Sequence, residues 1–374
     1  MAGETSGGRP VSTVVGMDGW DGYCCAILAN VLSLLVSPPS MHFIPHTAAL
    51  SVLALAGMAH AQVFTYKDWA VACDNTRHCE AVAYQSEDSA SESVVLWLSR
   101  DAGPNAPVRV QLDVNDSGDS RQLTLRLGST TLKGIALGED LSPAQTQQLL
   151  AHVLVGQKLT LADGAKRWEV SLAGSNAALL KMDDVQGRVG TPGALLRKGK
   201  KPEAAALPPL PVSKVRAAAL PGTSKADEAL LPAILKSITP RDCWDDMPDD
   251  NDPETSITRV SATQVLVMRE CGRGAYQGGS GLWLANSKPP YRAKRLTVPM
   301  PDGEPSDYVM NASFEDGRLS SYAKGRGLND CGADYAWVWT NKGFVLTDAS
   351  TAPLCRGMAG GGYSLRTYTA EVLP

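Results

Sequence analysis

Cysteine has the widest chemical range of the residue types in this chain, and Cys331 occupies an informative position. It lies in RGLNDCGADYAWVWTNKGF, residues 326–344, where a glycine-rich turn precedes alternating aromatic residues. A nucleophilic thiolate needs a neighbouring base, and the only histidines after residue 61 are His78 and His152, both far away in the sequence. A disulfide bond is therefore the favoured role of Cys331.

The residues that follow Cys331 predict where its partner lies. Aromatic residues alternate along a predicted strand, Asn-Lys-Gly at 341–343 supplies a turn, and FVLTD returns antiparallel. This hairpin carries Cys331 towards Cys355. A disulfide that closes such a loop stabilises a protein by about 3 kcal/mol in the chain-entropy description.

The remaining cysteines also predict disulfide bonds. Six of the eight cysteines lie after residue 61, an even number that suits a compartment in which disulfides persist. In CDNTRHC, turn-forming residues let Cys73 and Cys79 face each other. Zinc held with His78 is the alternative, but the spacing is unusual and no second cluster supplies a fourth ligand. Cys243 and Cys271 form the third pair by elimination.

Two further segments have the composition of ligand sites. Residues 242–254, DCWDDMPDDNDPE, offer carboxylates to Ca²⁺ but lack the glycine and the ligand spacing of an EF-hand loop, which favours a solvated acidic loop. The glycine run at 271–283, CGRGAYQGGSGLW, lacks the Lys-Ser/Thr ending of a P-loop, so we expect tight turns before a strand. We expect no metal and no cofactor at either segment.

The aromatic strand after Cys331 carries a candidate binding surface. Strand-borne tryptophans favour core packing, but beside the polar residues of the preceding turn they could also stack on a sugar or a peptide. The residues of this candidate surface are Arg326, Asn329, Asp330, Asp334, Tyr335, Trp337 and Trp339. Its two carboxylates, Asp330 and Asp334, also raise the alternative of a glycan hydrolase, in which an acid and a base flank a glycosidic bond.

The first half of the chain is predicted to be mainly β. Residues 62–187 contain short alternating segments such as RQLTLRLGS, with turn signals between them, which is typical of a sandwich or barrel. One helix interrupts them, because Ser142 is a suitable N-cap, Pro143 suits the first helical position and Gln145 completes a capping box.

The rest of the chain predicts a linker and a second domain. Residues 188–225 are rich in proline and alanine and predict a partly extended linker. Residues 226–374 predict a short helix followed by a second β-rich domain with its own disulfides. The expected fold class is therefore mainly β (α+β), with two β-rich, sandwich-like or barrel-like domains and few short helices.

The N-terminal region predicts export. Residues 41–61, MHFIPHTAALSVLALAGMAHA, combine an apolar stretch with the small-residue signature of Ala59 and Ala61, which is typical of a cleaved signal peptide. Residues 1–40 are then a misassigned or dispensable extension, with Met41 as the true start. A membrane anchor formed by residues 24–36 and the second apolar run is the alternative, but each run is shorter than the roughly 20 residues of a spanning helix.

Charge narrows the classes of partner. The chain has 35 Lys and Arg against 39 Asp and Glu, a formal charge of −4, so no overall basic field attracts it to nucleic acid. An envelope glycan or another periplasmic protein is the partner class that remains.

Five segments also resemble a known family. They are DWAVACDNTRHCEAVAY, LAGSNAALLKMDDVQGRVGTPGALLRKG, LPPLP, CGRGAYQGGSGLWLA and GRGLNDCGADYAWVWTNKGFVLTDASTAPLCRG. Together they resemble the secreted bacterial family known as domain of unknown function 1176, over nearly all of the chain after residue 61. The first half is also similar to the invasion-associated locus B family, with its W-x-V-x-C opening and a late AALLKMD-like segment. The resemblance implies a periplasmic location and paired cysteines, and it implies no activity, cofactor or catalytic residue.

The sequence thus predicts an exported periplasmic protein that acts in the cell envelope by binding or assembly, without catalysis. After signal cleavage it is not expected to span a membrane. Hydrolysis of envelope glycans by paired carboxylates is the alternative function.

Overall fold

The first half of the chain forms two antiparallel sheets with two helices. The computed structural model describes residues 63–89, 91–115, 123–156, 158–238, 243 and 253–374. The strands of this half are β1 Val63–Tyr66, β2 Trp69–Cys73, β3 Cys79–Tyr84, β4 Val94–Arg100, β5 Val108–Val114, β6 Leu123–Leu127, β7 Thr130–Ile135, β8 Lys158–Asp163 and β9 Lys166–Ser171. The helices are α1 Pro143–Val153 and α2 Ser175–Val185.

These two sheets pack face to face as a sandwich. One has the order β1-β2-β3-β4-β5 and the other β7-β6-β8-β9. Every second side chain of a strand points into the space between the two sheets, because successive residues of a strand point to opposite faces. The shared core includes Trp69, Leu96 and Leu112 of the first sheet and Leu125, Leu161 and Trp168 of the second. Helix α1 begins at the predicted capping box, in which Ser142 and Gln145 bond to each other's backbone N–H groups.

The second half contains the remaining strands and two very short helices. The strands are β10 Ser213–Arg216, β11 Thr255–Arg259, β12 Gln264–Arg273, β13 Gly278–Asn286, β14 Lys294–Arg295, β15 Val309–Met310, β16 Ser313–Glu315, β17 Arg318–Lys324, β18 Gly332–Thr340, β19 Gly343–Ala352 and β20 Leu365–Leu373. The helices are α3 Lys225–Glu228 and α4 Leu231–Leu235. One sheet has the order β11-β12-β13-β14 with β15 on β13, and the other the order β10-β20-β19-β18-β17-β16.

A second sandwich core lies between these two sheets. Leu266 and Leu282 contribute from one sheet, and Leu319, Trp337 and Leu346 from the other. The other face of the β12–β13 sheet is covered in part by α4, whose Ile234 is buried with Val267 and Trp283. Both faces of this sheet therefore carry apolar side chains, as expected for a sheet covered on both sides.

The proline-rich segment 188–225 is ordered along both halves of the protein. The Leu210 N–H donates to the Thr76 carbonyl at 3.1 Å, and the Ala218 N–H donates to the Trp339 carbonyl at 2.9 Å. Between these points β10 pairs in parallel with β20. Proline removes N–H donors, but the non-proline residues of the segment use theirs to attach it to its neighbours.

The two sandwiches also contact each other directly. The outward face of the first sheet, which includes Ala72, Val82 and Trp97, packs against Met358 and Leu365 of the second half. The hydroxyl of Tyr84 donates to the carbonyl of Gly361 over 2.8 Å, and the Arg356 guanidinium lies 3.0 Å from the Asp68 carboxylate.

The fold class is confirmed as mainly β, with short helices of 4 to 11 residues. The division into two domains stays a prediction. The predicted signal peptide at 41–61 and the extension at 1–40 lie outside the described residues, as does most of the acidic loop at 242–254. Within the part of the chain that the structure describes, no helix is both long and apolar enough to cross a membrane.

Candidate functional site

Three disulfide bonds join the cysteine pairs that the sequence predicts. They connect Cys73 with Cys79, Cys243 with Cys271 and Cys331 with Cys355. Cys73 and Cys79 are directly opposite each other on β2 and β3. Asp330 places a ligand atom within 4.8 Å of the sulfurs of Cys331 and Cys355. Because all six thiols are consumed in disulfides, none of them is free to act as a metal ligand or nucleophile.

The two tryptophans of the candidate surface belong to the core. Trp337 is 1% exposed and Trp339 is 6% exposed, and both pack between the sheets of the second sandwich. The Trp337 indole N–H donates to the Pro299 carbonyl at 2.6 Å, and Trp339 meets Phe344 edge to face. This burial does not favour a stacking role for the two indoles, because the face on which they alternate is covered by the opposing sheet, and the candidate surface stays a prediction. Tyr335 on that face is partly buried and packs against the same core.

Arg326, Asn329 and Asp330 organise the loop that precedes β18. The Arg326 guanidinium binds both oxygens of the Asp330 carboxylate, which also accepts the Gly357 N–H at 2.6 Å. Asn329 has a positive φ of 56° and accepts the Tyr322 hydroxyl at 2.6 Å. The loop is therefore held by its own polar side chains, and Asp330 is 2% exposed.

The two carboxylates suggested for glycan hydrolysis differ in their surroundings. The hydrogen bond from Arg326 lowers the pKa of Asp330, which keeps this group ionised and engaged. Burial and the nearby charge of Asp348 raise the pKa of Asp334, which lies on the strand face opposite to that of Tyr335. With both oxygens of Asp330 bound to Arg326, the geometry does not favour the hydrolase alternative.

A cleft of about 380 Å³ opens beside this loop. It lies over β12, β13 and the turn between them. Its lining side chains include Glu254, Met268, Glu270, Arg273, Tyr276 and Asn311. The described residues that line the cleft include no histidine and no cysteine.

Glu270 and Arg273 form the charged wall of the cleft. Arg273 donates from Nε to Oε1 and from Nη2 to Oε2 of Glu270, each over 2.6 Å. This two-point hydrogen bond lowers the pKa of Glu270, although burial opposes the charged form. The carboxylate is therefore ionised and oriented before any ligand arrives.

Glycines in β13 create the space for this wall. A Cβ on Gly278 would lie 2.5 Å from Oε1 of Glu270, and a Cβ on Gly279 would lie 1.9 Å from Cζ of Tyr308. The glycine run was expected to form tight turns before a strand, but Gly278 and Gly279 lie within β13 itself. Their role is close approach of neighbouring side chains, because neither has a positive φ.

Exposed apolar side chains lie at the cleft and in the loop next to it. Tyr276 is 44% exposed and Leu328 is 73% exposed. The Tyr276 ring lies against Gly327, where an added Cβ would be 3.4 Å from Cδ1. Gln277 joins the two loops, since its side chain accepts the Lys324 N–H at 2.9 Å and donates to the Lys324 carbonyl at 3.4 Å.

The loop of the candidate surface adjoins the cleft where Gly327 approaches the Tyr276 ring. Tyr276 lines the cleft and is exposed, Leu328 is exposed in the adjoining loop, and the tryptophans are buried. The paired spacing of Glu270 and Arg273 in RECGR was the signal in the sequence that could have identified the charged wall.

Two comparisons with individual proteins add to this description. The chain is 29% identical over 338 residues to the uncharacterized protein YpfG of Escherichia coli strain K12, which covers 83% of this chain and 94% of that protein. A solved structure, that of invasion associated protein b from Bartonella henselae, also aligns with this chain. The alignment covers 33% of this chain and 98% of the Bartonella chain, with 19% sequence identity and a TM-score of 0.26.

A family-level comparison covers almost all of the described structure. Residues 63–370 match the family described as protein of unknown function (DUF1176). This range includes both sandwiches, the proline-rich segment between them and the cleft. The chain therefore belongs to the DUF1176 family, as its five sequence segments indicated.

Proposed function

We propose that this protein is exported and acts in the cell envelope as a binding module, with the Glu270–Arg273 cleft as its ligand site. Export to the periplasm is supported by the signal-like residues 41–61 and by three disulfides, which persist in oxidising compartments.

The observation that carries the proposal is the combination of a charged wall with exposed apolar side chains at the cleft and next to it. Tyr276 presents apolar surface to solvent at a cleft in which Glu270 and Arg273 are already paired, and Leu328 is exposed in the adjoining loop. Clefts of this size with a few oriented polar groups are typical of ligand sites. Groups held in a two-point ion pair suit recognition more than proton transfer, because their pKa values are moved away from neutrality.

A segment of another envelope protein fits this site best. Tyr276 at the cleft and Leu328 in the adjoining loop offer apolar contact area. Aromatic residues are enriched at protein interfaces. Glu254, an exposed carboxylate in the cleft, suits a partner with basic or N–H groups. A glycan is the other partner class, and the test below separates the two.

The test is crosslinking in intact cells of the native host. A photoreactive amino acid replaces Leu328 in one variant and Val155, which is 83% exposed in the first half, in a matched control. We expect one dominant adduct from position 328 and none from position 155. A protease-sensitive adduct identifies a protein, and a muramidase-sensitive adduct identifies a glycan. Equal labelling at both positions contradicts the cleft as the binding site.

Export is tested separately in the same cells. We expect osmotic shock to release the protein with its six cysteines resistant to thiol alkylation and with residues 1–61 absent by mass spectrometry. Retention in the cytoplasmic fraction with alkylatable thiols contradicts export, whatever the crosslinking shows.

A further inference from the structure

A strongly basic loop lies in the first half of the chain, away in sequence from the cleft. Residues 197–201 read RKGKK, and Arg197, Lys198, Lys200 and Lys201 are all exposed. The whole chain has a formal charge of −4, whereas residues 197–201 carry four positive charges and no negative one. Charge runs are usually solvated, and the question is whether this one has an ordered shape.

Backbone hydrogen bonds give the loop a defined conformation. The Gly190 N–H donates to the Arg197 carbonyl at 2.8 Å, and the Lys201 N–H donates back to the Gly190 carbonyl at 2.9 Å. Gly199 makes a close approach possible, because a Cβ there would lie 2.5 Å from the Gly190 oxygen. The four cationic side chains therefore project from an ordered loop, which lowers the entropy lost when they meet a partner.

Buried ion pairs support the loop and occupy the nearby carboxylates. Arg188 is fully buried and pairs with Glu203 at 3.1 Å, and Glu203 also accepts the Gly193 N–H at 2.9 Å. The buried Asp183 carboxylate accepts the N–H groups of Leu195 and Leu196. These two carboxylates are committed to internal partners, so they do not neutralise the exposed cations of residues 197–201.

A shallow groove of about 360 Å³ adjoins the basic loop. Arg197, Lys181 and Asp184 line it together with the apolar side chains of Leu180 and Val189. Lys181 lies over the Phe64 ring, 4.4 Å from its centroid, and is 3.6 Å from Asp184. The groove thus combines two cations and one carboxylate with apolar walls, and the four cations of the loop make the combined surface net positive.

We infer that residues 197–201 and the adjoining groove form a surface that binds anionic phospholipid bilayers. Clustered Lys and Arg side chains bind phosphate-bearing membrane surfaces at about 1 kcal/mol each when several act together. Apolar side chains beside the cations suit partial insertion at the interface, which free phosphate does not offer. This surface is independent of the cleft, and the two can be occupied at the same time or separately.

The test is sedimentation with vesicles of the protein as recovered from its host. Vesicles contain phosphatidylglycerol and phosphatidylcholine in equal amounts, or phosphatidylcholine alone. The variant carries Arg197→Gln, Lys198→Gln, Lys200→Gln and Lys201→Gln. The matched control neutralises four exposed lysines elsewhere: Lys133→Gln, Lys288→Gln, Lys294→Gln and Lys342→Gln.

We expect the unchanged protein to bind anionic vesicles at least tenfold more tightly than neutral ones, with binding that weakens as salt rises. The loop variant should lose at least tenfold in affinity, and the control variant less than twofold. All three proteins share one N-terminus, so its apolar residues contribute equally to each. Matching thermal melts show that each protein is folded.

Three outcomes overturn the inference. The first is absence of binding to anionic vesicles at low salt, and the second is an equal loss in the loop variant and the control. The third is full competition by inorganic phosphate at constant ionic strength, which would indicate a site for free phosphate. Any of these three outcomes leaves the cleft proposal untouched, because crosslinking from position 328 tests a different surface.

Discussion

The Arg366 guanidinium of β20 donates from Nε to the Asp74 carboxylate over 2.6 Å, and 292 residues of sequence separate the two. The side chain of Asp74 is fully buried, and its other oxygen accepts the N–H and hydroxyl of Thr76 and the N–H of His78. One carboxylate therefore organises the first hairpin and attaches it to the last described strand.

Replacement of Arg366 by Ala is expected to destabilise the protein by roughly 1–3 kcal/mol, because a buried carboxylate oxygen loses its charged donor. Urea unfolding measures the loss. Arg126→Ala, at an exposed position in β6, is the control and should change the free energy of unfolding by less than about 0.5 kcal/mol. Equal effects of the two variants would show that the Asp74 contact contributes nothing to stability.

His78 predicts a dependence of stability on pH. Burial lowers its pKa, but hydrogen bonds to Glu80 at 3.3 Å and to Asp101 at 2.6 Å raise it, and the net pKa lies above the ordinary value despite the Arg366 charge. A raised folded-state pKa gives stability that is complete below the unfolded-state pKa of about 6.5 and is lost as pH rises through the folded-state pKa.

Thermal melts between pH 5.5 and pH 9 test this dependence. We expect the melting temperature to fall on the alkaline side, and His78→Gln to remove most of that slope while lowering stability at pH 6. A variant whose pH profile superimposes on that of the unchanged protein would show that His78 does not titrate between two carboxylates.

Gly279 is expected to tolerate no side chain. Gly279→Ala places a methyl group on the Tyr308 ring and should cost about 1–3 kcal/mol through overpacking, with displacement of Tyr308. Gly222→Ala is the matched control, because a Cβ there meets no atom within 4 Å and Gly222 has no positive φ. Chemical denaturation of both variants checks the difference, and comparable values would rule out close packing at Gly279.

Trp337 separates the core interpretation from the surface interpretation. Trp337→Ala removes a buried indole and its bond to Pro299, so we expect a loss of about 3–5 kcal/mol. Leu328→Ala should change stability by less than about 0.5 kcal/mol, since Leu328 is exposed. A Trp337 variant that keeps full stability but loses partner binding would restore the stacking surface.

The disulfides should differ in their contributions. Chain entropy predicts about 3 kcal/mol for Cys331–Cys355, with a sequence separation of 24, and about 2 kcal/mol for Cys73–Cys79, with a separation of 6. Double Cys→Ala variants of each pair, compared by urea unfolding, measure the order. The reverse order would show that native contacts around the cysteines outweigh loop length.

Local signals made much of the fold predictable. The alternation of residues 335–339, the turn at 341–343 and the capping box of Ser142 each depend on a few neighbouring residues, and the structure has the elements that they predict. Short-range signals also made two of the disulfides predictable, because Cys73–Cys79 and Cys331–Cys355 each join the two arms of one hairpin.

Non-local packing could not be read from the same patterns. Alternation shows that Trp337 shares a face with Tyr335, but not that a second sheet covers that face. Glycine composition likewise could not distinguish a turn from a strand crowded by Glu270 and Tyr308. The cleft could not be predicted from the sequence for the same reason, because its lining combines β12, the turn before β13 and Asn311, which are separated along the chain.

The contact between the two halves has a kinetic consequence. The outward face of β2, β3 and β4, with Val82 and Trp97, is covered by residues 354–365, and the Asn75 amide exchanges two hydrogen bonds with the Thr369 backbone. Contacts between such distant parts of a chain form slowly, since loop-closure entropy must be lost first. A polypeptide that emerges N-terminus first therefore exposes an apolar sheet face for the time needed to deliver nearly 300 more residues. We therefore expect transient cover of this face by a chaperone to reduce aggregation while the chain is incomplete.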